Sequence, residues 1–117
     1  MTVKRIVSNL AADDITGLRE FYEKLFDLEV AMDLGWIATL TSGETSQVQI
    51  SIASEGGAGT PVPDLSIEVD DVDAVLARAQ ALGHEIAYPL TDEPWGVRRF
   101  FLRDPAGKLL NILSHKG

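Results

Sequence analysis

The chain has 117 residues, 45% of them hydrophobic, and a formal net charge of −8 at pH 7, so it can form one domain with a substantial core. It contains no cysteine, which excludes a disulfide scaffold, a thiolate metal site and a cysteine nucleophile. The acidic surface disfavours nucleic acid. The sequence contains no apolar run of membrane-spanning length and no signal-peptide core, so we expect a cytoplasmic protein that binds neither nucleic acid nor membrane.

The first half of the chain reads as one strand, one helix and three further strands. After the strand-like run VKRIVSNLA, Asp13 or Asp14 can cap a helix. Apolar side chains then recur at the spacing of one helix face: Ile15, Leu18, Tyr22 and Leu25. We expect the aromatic pair Phe21 and Tyr22 to lie in the core. The strand-like runs that follow are LEVAMD (28–33), GWIATLT (35–41) and QVQISIA (47–53).

The second half repeats this order of elements. Asp70 and Asp71 stand 57 residues after Asp13 and Asp14, and a second helical pattern follows them: Val72, Val75, Ala79 and Leu82. The strand-like runs are PDLSIEV (63–69), HEIAYPL (84–90), VRRFFLR (97–103) and KLLNILS (108–114). The Gly- and Pro-rich stretch 54–63 predicts a linker. The repeat therefore predicts an α+β fold of two βαβββ modules, about 1–56 and 61–117, within a single domain 1–117.

Two of the predicted strands have one apolar and one polar face. In PDLSIEV, the residues Asp64, Ser66 and Glu68 alternate with apolar residues. In QVQISIA, the residues Gln47, Gln49 and Ser51 do the same. Helices cover the apolar faces, so the polar faces either line a cup that binds a small molecule or face water. Alternation by itself favours the face open to water.

Three stretches of the sequence resemble the vicinal oxygen chelate superfamily, which includes glyoxalase I, bleomycin-resistance proteins, extradiol dioxygenases and fosfomycin-resistance enzymes. These stretches are FYEKLFDLEV (21–30), VDDVDAVLARAQALG (69–83) and WGVRRFFLRDPAGKLLNI (95–112). The resemblance covers nearly the whole chain. It implies paired βαβββ modules whose sheets curl into an open cup, and a homodimer.

The resemblance also implies four metal-ligand positions, which match Val7, Gln49, Asp64 and Asn111. A valine cannot bind a metal, and Asn111 stands where metal-using relatives often carry a glutamate. A neutral amide adds no charge toward a divalent cation. Neither histidine occupies one of these positions: we expect His84 to be exposed and His115 to lie in a frayed terminus. We therefore expect no metal and no other cofactor.

Several further residues are candidates for ligand binding. The indole rings of Trp36 and Trp95 offer large stacking surfaces, although core or rim packing would explain them equally well. Arg98 and Arg99 are adjacent in a strand and point to opposite faces, so one of them should face the cup. Asp104, Pro105 and Gly107 predict a tight turn between two strands. The predicted ligand-binding residues are Trp36, Gln49, Asp64, Ser66, Glu68, Trp95, Arg98 and Asn111.

Three hypotheses for the function follow. The first is a metal-free small-molecule-binding protein that resembles the bleomycin-resistance branch and sequesters an antibiotic or another planar ligand. An acidic, aromatic-lined cleft would suit planar cations. The second is a glyoxalase-like lyase or dioxygenase with a divalent metal in the cup. The third is a metal-independent enzyme with Asp64 or Glu68 as general base. The degenerate ligand positions favour the first.

Overall fold

The computed structural model describes residues 1–42 and 49–116 of the chain. Within them, eight strands and two helices follow one another as βαβββ twice, so the predicted α+β fold with a repeated unit is confirmed. The first repeat contains β1 (Val3–Ala11), α1 (Ile15–Phe26), β2 (Glu29–Asp33), β3 (Ile37–Thr41) and β4 (Gln49–Ala53). The second contains β5 (Leu65–Val69), α2 (Val72–Ala81), β6 (Ile86–Asp92), β7 (Val97–Arg103) and β8 (Leu109–His115). Gln47 and Val48 of the predicted strand 47–53 lie outside the described residues.

The described chain divides into two compact units. The N-terminal unit runs from Val7 to Val62, and the C-terminal unit combines Met1–Ile6 with the chain from Pro63 onward. The division therefore falls at the end of the predicted linker, and the first residues of β1 group with the second repeat. That the two modules form a single domain stays a prediction. Neither described helix is long and apolar enough to cross a membrane.

The N-terminal unit is a sheet with α1 against it. The hydrogen-bonded order is β2-β3-β4-β1, with β1 and β4 parallel and the other pairs antiparallel. Ala38, Leu40 and Ile52 are buried on one face, and Thr39 and Ser51 lie side by side on the other. Alternation of side chains along the strands produces this division.

Helix α1 packs less deeply than the sequence pattern predicts. None of its residues is fully buried, and Phe21 is 53% exposed, so its assignment to the core is wrong. Tyr22 is half-buried and contacts the rings of Phe21 and Phe26. Leu25 is also exposed. Adjacent helical residues point about 100° apart, so Phe21 cannot share the sheet-facing direction of Tyr22.

The C-terminal unit has the strand order β1-β5-β8-β7-β6. Its buried core is formed by Val69, Val72, Phe100 and Ile112. Ile67 and Leu110 pack against that core, which places the apolar residues of β5, β7 and β8 on the face that α2 covers. The opposite face of the same strands carries Ser66 and Asn111.

The two helix starts repeat each other in detail. The Asp14 carboxylate accepts a hydrogen bond from the Gly17 N–H at 2.9 Å, and the Asp71 carboxylate accepts one from the Ala74 N–H at 3.1 Å. Each bond satisfies an N–H that the first helical turn leaves without a partner. Of the two aspartates predicted as possible caps in each repeat, the second is therefore the cap.

The turn between β7 and β8 forms as predicted. The Asp104 carboxylate accepts hydrogen bonds from the N–H groups of Ala106 and Lys108, and Gly107 adopts a φ of 80°. Glycine reaches that left-handed conformation without steric cost. The turn fixes the register of β7 against β8, which places Phe101 opposite Asn111.

Candidate functional site

Three residues that are aligned across neighbouring strands lie at the centre of the polar face of the C-terminal unit. Ser66 of β5 is aligned with Asn111 of β8, and Asn111 is aligned with Phe101 of β7. Since aligned residues of neighbouring strands point to the same face, these side chains lie next to one another. Leu110 and Ile112 contact the core under α2, so Asn111, which alternates with them along β8, lies on the opposite face.

Asn111 has an unmet hydrogen-bonding group. Its Nδ2 donates to Ser66 Oγ at 3.1 Å, and the residue is only 8% exposed. No donor among the described residues reaches its Oδ1, which is buried. Phe101, its partner on the other side, has no polar atom to offer. A buried acceptor without a partner costs about 1–3 kcal/mol, so this oxygen is the feature of the face that calls for an explanation.

A buried ion pair stands beside this centre, within a cluster formed by Arg99, Glu93, Tyr88, Trp95 and Phe101, here named the Arg99 cluster. Arg99 Nη2 lies 2.7 Å and its Nε 2.9 Å from Glu93 Oε2, and both side chains are almost fully buried. The Tyr88 hydroxyl donates to the same carboxylate at 3.3 Å. The pairing neutralises two charges that burial alone would strongly disfavour.

Three aromatic rings surround the guanidinium group of Arg99. Its Cζ lies 4.8 Å from the ring centre of Phe101, 4.9 Å from that of Trp95 and 5.3 Å from that of Tyr88. These distances are those of cation–π contacts. The half-buried Trp95 ring therefore packs on Arg99, and the rings form an aromatic wall next to Asn111.

Arg98 does not lie on this face, so its assignment to the ligand-binding set is wrong. Its guanidinium group binds Asp73 of α2 at 2.9 Å and Asp92 at 3.1 Å, on the side that the helix covers. These ion pairs lower the pKa of both carboxyl groups and raise the pKa of Arg98. Arg99, the other member of the adjacent pair, faces Asn111's side of the sheet instead.

Glu68 lies on the polar face as predicted, within an ion-pair network. Its two oxygens lie 3.1 Å from Arg5 Nε and 2.9 Å from His115 Nδ1. His115 is the last residue of β8 and is aligned with Val97, so the expectation of a frayed end there is wrong. The register of β7 and β8 extends far enough to hold it. His84 is exposed, as expected.

Asp64 has a structural role at the start of β5. It is exposed, its carboxylate accepts a hydrogen bond from the Leu109 N–H at 2.8 Å, and its own N–H donates to the Leu109 carbonyl. The residue precedes the first residue of β5 and tethers that strand to β8. A carboxylate used in this way is poorly placed to bind a ligand.

The other predicted residues belong to the N-terminal unit. Val7 is buried and apolar, Gln49 is half-buried and aligned with Thr41, and Trp36 is half-buried directly before β3. The residue of β4 that corresponds to Asn111 is Ser51, since Ser51 is aligned with Asn9 of β1 as Asn111 is with Ser66 of β5. The match of Gln49 to the last-strand position is therefore two residues off.

The residues at the implied metal positions do not fit a metal ion. Val7 has no donor atom, Asn111 is neutral, and the Asp64 carboxylate already accepts a backbone hydrogen bond. Across residues 1–42 and 49–116, no three His, Asp or Glu side chains are grouped so as to hold a metal. We therefore derive no chemistry through a metal at these positions.

Comparison with known proteins identifies the family. The model of the Glyoxalase/Bleomycin resistance protein/Dioxygenase superfamily matches residues 3–112. The chain belongs to this superfamily. No relative is found among curated protein sequences.

Solved structures of this fold resemble the superfamily member described here over nearly its full length. A glyoxalase/bleomycin resistance protein/dioxygenase superfamily member from Vibrio splendidus is 19% identical, with a TM-score of 0.67, and 97% of this chain and 99% of that chain are covered. The methylmalonyl-CoA epimerase of Streptomyces coelicolor is 21% identical, with a TM-score of 0.74 and coverage of 99% and 100%. The NAD-dependent benzaldehyde dehydrogenase of Legionella pneumophila is 18% identical, with a TM-score of 0.77 and coverage of 96% and 100%. At these identities the likeness shows the fold.

Sequence reasoning missed most of the Arg99 cluster. Phe101 was detectable, because it stands two residues from Arg99 in a strand and shares its face. Tyr88 and Glu93 carried no such signal, since β6 shifts register against β7 between Tyr88 and Thr91. The pairing of Arg99 with Glu93 depends on that shift and on the turn that follows β6.

Proposed function

We propose that this protein binds a small molecule on the polar face of its C-terminal unit and acts by binding, without a transition metal. The observation that carries the proposal is the buried Asn111 Oδ1, which no donor among the described residues reaches. Buried polar groups are normally hydrogen-bonded, and exceptions call for an explanation. A bound ligand that donates to this oxygen is the explanation we put forward.

The surroundings of Asn111 support a planar ligand. The half-buried Trp95 ring offers aromatic surface on one side, where the buried Phe101 ring packs with it around Arg99, and Ser66 holds the amide in place on the other. Small-molecule sites in proteins combine apolar lining with a few polar groups that orient the ligand. Sequestration of an aromatic antibiotic is one activity that such a face would support. A solved structure of similar fold, the Streptomyces coelicolor epimerase, is a complex with 2-nitronate-propionyl-CoA, so this fold accommodates small-molecule ligands.

The two enzymatic hypotheses have weaker support. A glyoxalase-like lyase or dioxygenase would need metal ligands that Val7 and Asn111 do not supply. A metal-independent general base would need a carboxylate ready to accept a proton, whereas Asp64 holds a backbone N–H and Glu68 is bound by Arg5 and His115. The homodimer and the cytoplasmic location stay predictions, as does the absence of nucleic-acid and membrane partners.

The test is a tryptophan-fluorescence screen of planar antibiotics and related aromatic compounds, with and without chelator. We expect saturable binding that the chelator does not change. Asn111→Leu should weaken it by about tenfold, because the ligand donor then lacks its acceptor. The matched control is Ser51→Ala, at the corresponding position of the N-terminal unit, which should bind as the wild type does.

Elemental analysis of the purified protein tests whether a metal is bound. A stoichiometric metal whose removal abolishes ligand binding would overturn the proposal and restore the lyase and dioxygenase hypothesis. Binding that is identical in wild type and Asn111→Leu would show that the ligand lies elsewhere.

A further inference from the structure

We infer that the ligand of this face is an uncharged planar molecule with a hydrogen-bond donor, rather than the planar cation that the net charge of −8 suggests. The inference rests on the proposed function and names the chemical class that its site selects. Three features of the face carry it: the pairing of its charges, the occupation of its aromatic rings and the single unmet acceptor of Asn111.

The formal charges of Glu93 and Glu68 on this face are paired with cationic side chains, and Asp64, at the exposed start of β5, accepts the Leu109 N–H. Glu93 is bound by Arg99 through two nitrogens, and Glu68 is bound by Arg5 and by His115. A cationic ligand beside Asn111 would need a carboxylate, and at Glu93 or Glu68 it would have to displace a positively charged side chain. An anionic ligand would have to displace Glu93 from Arg99, which is 2% exposed. Burying an unpaired charge here would be strongly unfavourable.

The aromatic rings that would attract a cation are already occupied. Quaternary ammonium and similar ligands bind in cages of aromatic faces. Here the rings of Tyr88, Trp95 and Phe101 surround the protein's own guanidinium group, each with its centre within 5.3 Å of Arg99 Cζ. The cage is filled from within, and because Phe101 is 1% exposed, only the half-buried rings of Tyr88 and Trp95 have surface left, for apolar stacking.

The polar group that the face presents to a ligand is an acceptor, Asn111 Oδ1. Asn111 Nδ2 is engaged with Ser66, which leaves Oδ1 to meet the ligand. A ligand carboxylate or ether would bring a second acceptor toward this oxygen, whereas a phenol, amide or heteroaromatic N–H would donate to it. An uncharged donor on a flat ring satisfies the face without leaving a charge unpaired.

The inference is tested with four probes that share one ring system: 2-naphthol, 2-methoxynaphthalene, 2-naphthoate and 2-naphthylmethylammonium, each titrated by calorimetry at pH 7. We expect 2-naphthol to bind tightest, by about fivefold over 2-methoxynaphthalene, the ratio that about one net hydrogen bond provides. Both charged probes should bind more weakly than the methyl ether. In Asn111→Leu the advantage of 2-naphthol over its methyl ether should vanish.

The outcomes separate the inference from the proposed function. Tighter binding of the ammonium or the carboxylate probe than of 2-naphthol would overturn the inference and leave a binding protein of another ligand class. Failure of all four probes, together with a negative antibiotic screen, would overturn the proposed function itself. A 2-naphthol advantage that persists in Asn111→Leu would show that Asn111 does not select the donor.

Discussion

The polar faces of the two units differ at one pair of aligned residues. In the N-terminal unit that pair is Thr39 and Ser51, whose hydroxyl groups are 2.7 Å apart and buried. In the C-terminal unit the corresponding pair is Phe101 and Asn111, and phenylalanine offers the amide nothing. The two units thus differ in this pair: a hydroxyl–hydroxyl hydrogen bond closes it in the N-terminal unit, whereas Asn111 Oδ1 meets no donor among the described residues. One cross-strand pair therefore gives two otherwise similar repeats different polar faces.

The two polar faces also differ in charge. The C-terminal face adds the Arg99 cluster, in which a charged pair and three rings are packed next to the unmet acceptor. The aligned pair of the N-terminal unit is neutral and closed by one hydroxyl–hydroxyl bond. Holding charges in a dry interior requires close pairing, so the C-terminal face is the more costly to build and the more sensitive to substitution.

The largest expected effect comes from breaking the buried pair. Glu93→Gln leaves the Arg99 guanidinium without its counter-ion and should lower the free energy of unfolding by about 3–5 kcal/mol, as measured by urea denaturation. Arg98→Met, one residue away on the α2 side of the sheet, breaks ion pairs that are partly exposed, so it is the matched control and should change the free energy of unfolding little. Equal losses in both variants would mean that the Arg99–Glu93 pair contributes no more to the free energy of unfolding than a surface ion pair does.

A smaller effect compares the aligned pairs directly. Thr39→Val removes one partner of the buried hydroxyl pair and should cost about 1–3 kcal/mol in the free energy of unfolding. Asn111→Leu removes an acceptor that lacks a partner, so it should cost less than Thr39→Val or even stabilise the protein. Urea denaturation of the two variants in parallel measures both. A larger loss for Asn111→Leu would mean that its hydrogen bond to Ser66 matters more than the unmet Oδ1.

Sequence patterns were sufficient for the fold and for part of the site. The 57-residue repeat placed both helix caps within one residue, and alternation put Asn111, Ser66 and Glu68 on the face away from α2. Both results depend on patterns within short stretches of the sequence, namely the repeated helix starts and the alternation along a strand. The hydrogen bonds of Asp104 likewise follow from the residues of one turn.

The misassigned residues depend on contacts between elements far apart in the sequence. Whether Arg98 or Arg99 faces Asn111 is decided by the register of β7 against β8, and Asp73 of α2 then binds Arg98. The role of Asp64 depends on the backbone of Leu109, 45 residues later. Phe21 stays exposed because α1 presents a narrower buried stripe than its aromatic content suggests. A single sequence contains no local signal for Arg98 or Asp64, whereas the helical period already turns Phe21 away from the direction of Tyr22.

The helix caps provide a comparison in which the two units should behave alike. Asp14→Ala and Asp71→Ala each remove one carboxylate that accepts a backbone N–H, at 2.9 and 3.1 Å. Each should lower the free energy of unfolding by about 1 kcal/mol. Thermal denaturation of both variants measures the difference. A much smaller loss for Asp14→Ala would show that α1, which buries no residue fully, contributes little to the stability of its unit.

The smallest expected effect is a pH dependence carried by the partly exposed ion pairs of Arg98 on the α2 side of the C-terminal unit. The ion pairs with Arg98 lower the pKa of Asp73 and Asp92 below the ordinary value of 3.8. A carboxyl group whose pKa is lower in the folded state contributes stability that is complete above the ordinary pKa and is lost as the pH falls through the folded one. Arg98→Met removes this contribution, so the stability difference between wild type and variant should shrink as the pH is lowered from 6 to below 3.

Asp70 is the internal control, because its pKa is lowered mainly by the Thr2 N–H, which the variant leaves in place. In Asp70→Asn the stability difference from wild type should therefore shrink over the same pH range whether or not Arg98 is present. If the difference between wild type and Arg98→Met is the same at every pH, Arg98 stabilises the unit by packing against α2 and not through its carboxylate partners.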